Sequence, residues 1–127
     1  MTAPLPISGT DHTYTILNAA AVGTTLYIPI YAPGRVKLFQ GVLGAALTTA
    51  DETFTLAYAP PASTTYTNVT SGAFTIVTAA SAAGNVGTAY VGPSSTAYVQ
   101  DGGSFRITPS GGGGAAVPMV FNIVTGN

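Results

Sequence analysis

The chain has no cysteine, no tryptophan and a single histidine, and it carries only three basic and four acidic side chains in 127 residues. Without cysteine there are no disulfide staples, which fits a reducing compartment or a particle assembled inside a cell. Charged residues make up 6% of the sequence, where an ordinary globular protein has roughly 25%. Nucleic-acid binding needs clustered Lys and Arg for the phosphates. Here Arg35, Lys37 and Arg106 are the whole supply, so no nucleic-acid partner is expected. No apolar run reaches the roughly 18–20 residues of a membrane span, so no membrane is expected either. The first ten residues, MTAPLPISGT, lack the basic and apolar regions of a secretory signal. A surface this poor in charge has little electrostatic protection against self-association. Either Ser, Thr, Asn and Gly keep it soluble or partners cover much of it, and the composition favours a mixture of the two.

What is present is β-pattern. The length suits one domain able to bury a core. Residues 1–13 are read as an extended N-terminal arm, because Pro4 and Pro6 favour extended backbone. Residues 14–127 are read as one β-sandwich domain. Residues 36–58, VKLFQGVLGAALTTADETFTLAY, predict two strands joined by a tight polar turn at 48–53. The first would place Val36, Leu38, Gln40 and Val42 on one face and Lys37, Phe39, Gly41 and Leu43 on the other. The second sets Phe54, Leu56 and Tyr58 against Thr53, Thr55 and Ala57. Residues 14–17 predict a short edge strand. In 24–31 Leu26, Ile28 and Ile30 share a face opposite Tyr27, Pro29 and Tyr31, and Pro29 argues for an edge. Residues 59–72 have loop composition. Strands follow with Phe74 and Ile76, then Phe105 and Ile107, and finally Val117, Met119, Phe121 and Ile123 inward. Between them 85–91 sets Val86, Thr88 and Tyr90 on one side. Seven to eight short strands between turn signals predict an all-β, antiparallel, jelly-roll-like sandwich. An immunoglobulin-like sandwich is the alternative, without the Trp or Cys pair that would support it.

No catalytic constellation emerges, and no cofactor or metal is expected. Ser8, Asp11 and His12 are the residue types of a triad but crowd the arm, where nothing rigid holds them. Asp51, Glu52 and Asp101 would offer oxygen ligands for Ca²⁺ only if their turns met; ordinary turn chemistry accounts for them. GGGGAA at 111–116 matches a dinucleotide fingerprint in letters alone, since a strand pattern follows where a helix is required. Asn68-Val69-Thr70 is a glycosylation sequon by pattern. Contact residues are sought elsewhere: Pro4, Leu5, Pro6 and Ile7 on an arm lying along a neighbour, Tyr27 and Tyr31 opposite the apolar face of their strand, and Arg35, Lys37 and Phe39 as two cations flanking an aromatic anchor. The tyrosines would equally suit stacking on sugars.

The succession VGTTLYIPIYAPGRV, LFQGVLGAALTTADETFTLAY, SGAFTIVTAASAAGNVGTAYVG, VQDGGSFRITPSGG and VPMVFNIV, over most of 24–124, resembles the small capsid decoration, or cement, proteins of tailed bacteriophages. The shared plan is a strand ending in G-x-L (41–43), a T-A-D turn (49–51), a T-I…S-A-A-G-x-V segment (75–86), a strand at 102–107 and a Val/Phe/Ile-rich closing strand (117–124). It departs at Gly103, where an acid is expected and Asp101 lies two residues earlier. The resemblance implies a non-enzymatic virion protein, assembled in the host cytoplasm. It would bind the major capsid protein on the outer surface of the phage head and bridge neighbouring capsomers as a homo-oligomer, a trimer by preference. A glycan- or receptor-binding module of a phage fibre or tail is the alternative, and a pilus or surface-layer subunit exchanging its arm is a third.

Overall fold

A computed structural model describes residues 11–110 and 117–126. Among them nine strands follow in chain order: β1 (His12–Asn18), β2 (Leu26–Pro29), β3 (Gly34–Leu43), β4 (Glu52–Ala59), β5 (Thr67–Ile76), β6 (Val86–Tyr90), β7 (Tyr98–Val99), β8 (Ser104–Pro109) and β9 (Met119–Gly126). A single 3-10 turn, Thr78–Ala80, separates β5 from β6. The first sheet has the order β1-β9-β3-β6, with β7 also on β3; the second has the order β2-β8-β4-β5. All pairings are antiparallel. β6 and β7 lie along the same edge of β3, one on Leu38–Val42 and the other on Gly34 and Arg35. They act as one strand interrupted by an excursion over 91–97, pinned where it leaves and returns by Val91 N–H to Lys37 O (3.0 Å) and Val36 N–H to Ala97 O (2.8 Å). With those two counted as one, the order is that of an eight-strand jelly roll.

The inner faces follow from alternation. β4 buries Phe54 and Leu56, β8 buries Phe105 and Ile107, and β9 buries Met119, Phe121 and Ile123, as their period of two predicts. β2 is an edge strand, consistent with Pro29, which has no N–H for a ladder. Four phenylalanines close the sandwich. Phe39 and Phe121 from the first sheet meet Phe74 and Phe54 from the second, with ring centroids 5.0 and 5.4 Å apart across the sheets, and Phe54 and Phe74 lie 5.5 Å apart within the second. Phe74 enters a notch in the first sheet made by Gly41 and Gly87, which oppose each other across the β3–β6 ladder. A Cβ on Gly87 would strike the Phe74 ring, and one on Gly41 would sit 2.9 Å from Phe74 Cζ and from Met119 Cε.

Several expectations are corrected. β3 and β4 are not a hairpin: they belong to opposite sheets, and 44–51 crosses between them. Their apolar faces meet through the core, and β3 pairs with β6, β7 and β9 while β4 pairs with β5 and β8. Within β3 the ladder to β9 shifts register between Val36 and Leu38. This bulge reverses the parity, so Val36 faces the core together with Phe39, Gly41 and Leu43. β5 begins at Thr67, inside the expected loop. Its polar start pairs with Ala57 and Tyr58 before a register shift that leaves 69–72 bulged, with Ser71 at φ 62°. β1 begins at His12, opposite Thr125, so His12 and Thr13 are sheet residues rather than arm. Residues 1–10, with Ser8 and Pro4 to Ile7, and the glycine run at 111–116 lie outside the described residues.

Two tests follow from the packing. Gly87→Ala is expected to cost about 1–3 kcal/mol in urea denaturation by overpacking the notch. Adding Phe74→Leu should recover part of that loss, and strictly additive costs would show that the two sites do not touch. The second concerns Tyr14, which is buried beside Phe105 and Tyr31 and accepts a hydrogen bond from Tyr31 N–H (3.3 Å). Burial pushes its phenol above the ordinary tyrosine value of 10.0, against the opposing effect of backbone donors at Tyr31 and Ala32. The fold thus favours the neutral phenol, and the stability it contributes below about pH 10 is lost as pH rises through the folded value. Wild type should therefore lose more stability than Tyr14→Phe between about pH 9 and 11; parallel curves would rule this out.

Candidate interaction surface

The residues expected to form a contact patch are dispersed. Phe39 is wholly buried, carried into the core by the bulge, and cannot anchor a partner. Arg35 is buried as well, and its Nη1–H donates to Val91 O at 3.3 Å, holding the start of the 91–97 excursion. Lys37 Nζ donates to Asp11 Oδ1 at 2.9 Å, and that carboxylate is out of solvent. The pair lies against Gly126, where any side chain would collide with the Asp11 carboxylate. Both cations thus have internal partners. Tyr27 and Tyr31 are exposed, at 60% and 62%, but on different surfaces. Tyr31 stacks edge-on to His12 and tilts against Tyr14 beside β1. Tyr27 stands on the outer face of the second sheet. His12 is thus a strand residue packed by an aromatic ring, while Ser8 lies outside the described residues.

The acids do not converge. Asp51 precedes β4 and accepts a hydrogen bond from Thr78 N–H at 2.9 Å. Asp101 belongs to the turn before β8, whose Ser104 pairs with Ala59 at the other end of β4. Eight strand residues separate the two ends, about 25 Å. No group of three metal-ligating side chains occurs among the described residues. Gly103 has its own reason: a Cβ there would lie 2.6 Å from Ala59 O, so the acid expected at this position has no room.

Two outer faces remain, and they differ in chemistry. On the first sheet the registers line up three transverse rows. Leu17, Val120, Val42 and Val86 form one; Thr15, Asn122, Gln40 and Thr88 the next; Thr13, Val124, Leu38 and Tyr90 the third, in which Val124 is itself buried. None of these positions is charged. In the first row Leu17 is 71% exposed, Val86 53% and Val120 38%, and an apolar hollow of about 140 Å³ opens between Leu17, Val42, Pro118 and Val120. The apolar row is continuous across four strands rather than a set of scattered single exposures. In the polar row Thr15 Oγ1 donates to Asn122 Oδ1 at 2.8 Å.

The register sets Tyr27, Arg106, Ala57 and Asn68 in one row on the second sheet, with Ala57 itself buried. The Arg106 guanidinium lies 4.7 Å from the centre of the Tyr66 ring, whose other neighbour is Tyr27 at 5.8 Å. Tyr66 Oη is fixed by Ser104 Oγ at 2.5 Å. Sequence reasoning named neither Arg106 nor the Leu17 row as contacts. Alternation gives which side a residue takes, but only the long-range register assembles one row from four distant strands.

No protein-family model and no curated protein matches the chain. Among solved structures, the Eiger TNF of S. frugiperda aligns at TM-score 0.52 and 6% identity, over 80% of this chain and 64% of that one. The chain thus spans less than two thirds of that structure's length. The nora virus structure aligns at TM-score 0.44 and 16% identity over 93% and 56% of the two chains. That of Desmodium yellow mottle tymovirus aligns at 0.38 and 10% over 100% and 94%. At such identities the likeness is one of fold, and the fold is a jelly-roll β-sandwich.

Proposed function

We propose that the protein is a structural, non-enzymatic virion component: a decoration protein of a phage head, assembled in the host cytoplasm. It lies on the outer surface of the shell, contacts the major capsid protein, and bridges neighbouring capsomers as a homo-oligomer, a trimer by preference. The observation that carries this reading is the outer face of the first sheet, with no charge in its three rows and an apolar row running its full width. The sequence resemblance to decoration proteins supports it, as does a composition with too little charge to keep a bare surface apart.

The energetics suit such a role. Fully burying a Leu or Val side chain is worth about 1.5–3 kcal/mol, and Leu17, Val86 and Val120 are only partly covered in the isolated chain. Each copy then binds modestly, and a connected oligomer engages several capsomers at once, multiplying the effect. Because only the mature arrangement of capsomers offers all the sites together, binding stabilises that arrangement by mass action.

Adding the purified protein to undecorated shells is expected to raise their melting temperature in calorimetry, with saturable binding. Leu17→Asp combined with Val86→Asp should weaken binding by about 30-fold or more, equivalent to ~2 kcal/mol, with the chain's own fold intact by circular dichroism. Shells that bind neither form, or both equally, would remove the proposal. Light scattering of the free protein is expected to give a trimer's mass.

A further inference from the structure

We infer that the outer face of the second sheet is a binding site for an acidic saccharide, with Arg106 as the group that receives the carboxylate. This site lies on the opposite side of the sandwich from the apolar row. It stands or falls independently of shell binding.

Arg35 and Lys37 are spoken for by Val91 O and Asp11. Arg106 makes no ion pair among the described residues, and its Nε, which is out of solvent, has no hydrogen-bond partner. Yet the guanidinium is not loose. It rests on the Tyr66 ring, which is itself held by Ser104 on one side and Tyr27 on the other. A guanidinium pinned by an aromatic face and lacking a carboxylate is pre-organised for an external one.

The surroundings specify what accompanies that carboxylate. A hollow of about 290 Å³ beside Arg106 is lined by Thr53, Thr55, Thr108 and Asn68, with no acidic side chain among its lining residues. Hydroxyls and an amide both donate and accept, which is what vicinal sugar hydroxyls require. The exposed Tyr27 ring, opposite Arg106 in the β2–β8 register, offers an apolar face for a pyranose. A plain anion would use only the guanidinium, and a neutral sugar would leave it unpaired. A uronate-type sugar uses the cation, the hydroxyls and the ring together. One such site is weak by itself, and repetition over many copies would supply the avidity.

The test is a titration of the full-length, isotopically labelled protein with D-glucuronate, D-glucose and inorganic phosphate at constant ionic strength, followed by amide NMR shifts. Glucuronate is expected to move Arg106, Thr55 and Asn68 with a Kd of about 1–10 mM. Glucose should bind at least about 10-fold more weakly, and phosphate should shift Arg106 without the threonines. Arg106→Gln should abolish the glucuronate response. Asn68→Asp, an exposed change that leaves the Arg106–Tyr66 contact in place, should weaken it by about 10-fold through like charge. Phosphate and glucuronate producing the same shifts and affinity would overturn the saccharide assignment. So would no glucuronate response at about 50 mM, well above the expected Kd. Leu17→Asp/Val86→Asp should keep the glucuronate response while losing shells, which separates this site from the docking face.

Discussion

The fold depends on one steric fit: the Phe74 ring of the second sheet lodged in the Gly41–Gly87 notch of the first. Two glycines facing each other in a ladder ordinarily weaken a sheet, since neither offers a side chain to pack. Here the missing side chains are replaced by a ring from across the sandwich, which also touches Phe39 and Phe54. The fit sets how closely the two sheets approach at this end. With the sheets held there, the β3 bulge has a definite consequence. Val36 and Phe39 both turn inward, and the residues between them carry the backbone hydrogen bond that anchors the 91–97 excursion. The core, the bulge and the interrupted edge strand are therefore one arrangement.

That arrangement explains where the few charges went. Only seven Lys, Arg, Asp and Glu residues exist in the chain, and several are used internally. Asp11 and Lys37 pair against Gly126, Arg35 ties down the excursion, Asp51 caps the 3-10 turn, and Glu52 is fully buried. Solvation of the outer surface therefore falls to hydroxyls and amides. They are organised into pairs such as Thr53 with Thr75 at 2.7 Å and Thr70 with Thr96 at 2.7 Å.

What could be read in the sequence was local. The alternations of β4, β8 and β9 gave their inward residues, and Pro29 gave an edge, because each depends on a single segment. The errors arose where distant partners decide. Lys37 reads as one more step of an alternating strand until β9 is laid beside it and the register slips; Phe39 went to the wrong face for that reason. Nothing within 44–51 says that the chain changes sheets. TNVTSG at 67–72 has loop composition because an exposed edge strand with a bulge needs polar residues and one left-handed position at Ser71. Tyr27 and Tyr31 were legible as outward residues, but the Arg106–Tyr66–Tyr27 cluster joins three separate stretches and was not.

The two outer faces then divide the chemistry that the composition had left mixed. One face is uncharged with a single apolar row, the other is hydroxyl-lined around a single guanidinium, and the two suit partners of different chemistry. An apolar row gains from excluding water and tolerates many complementary surfaces, so its selectivity must come from geometry and repetition. A guanidinium on an aromatic platform gains from one paired charge and discriminates strongly against ligands that leave it unpaired, because its own hydration is already reduced. A chain attached by the first face necessarily turns the second away from its support, since the phenylalanine core lies between them. In the proposed arrangement attachment and recognition are thereby separable, and a substitution on either face is expected to leave the other's geometry unchanged while Phe74 stays in its notch.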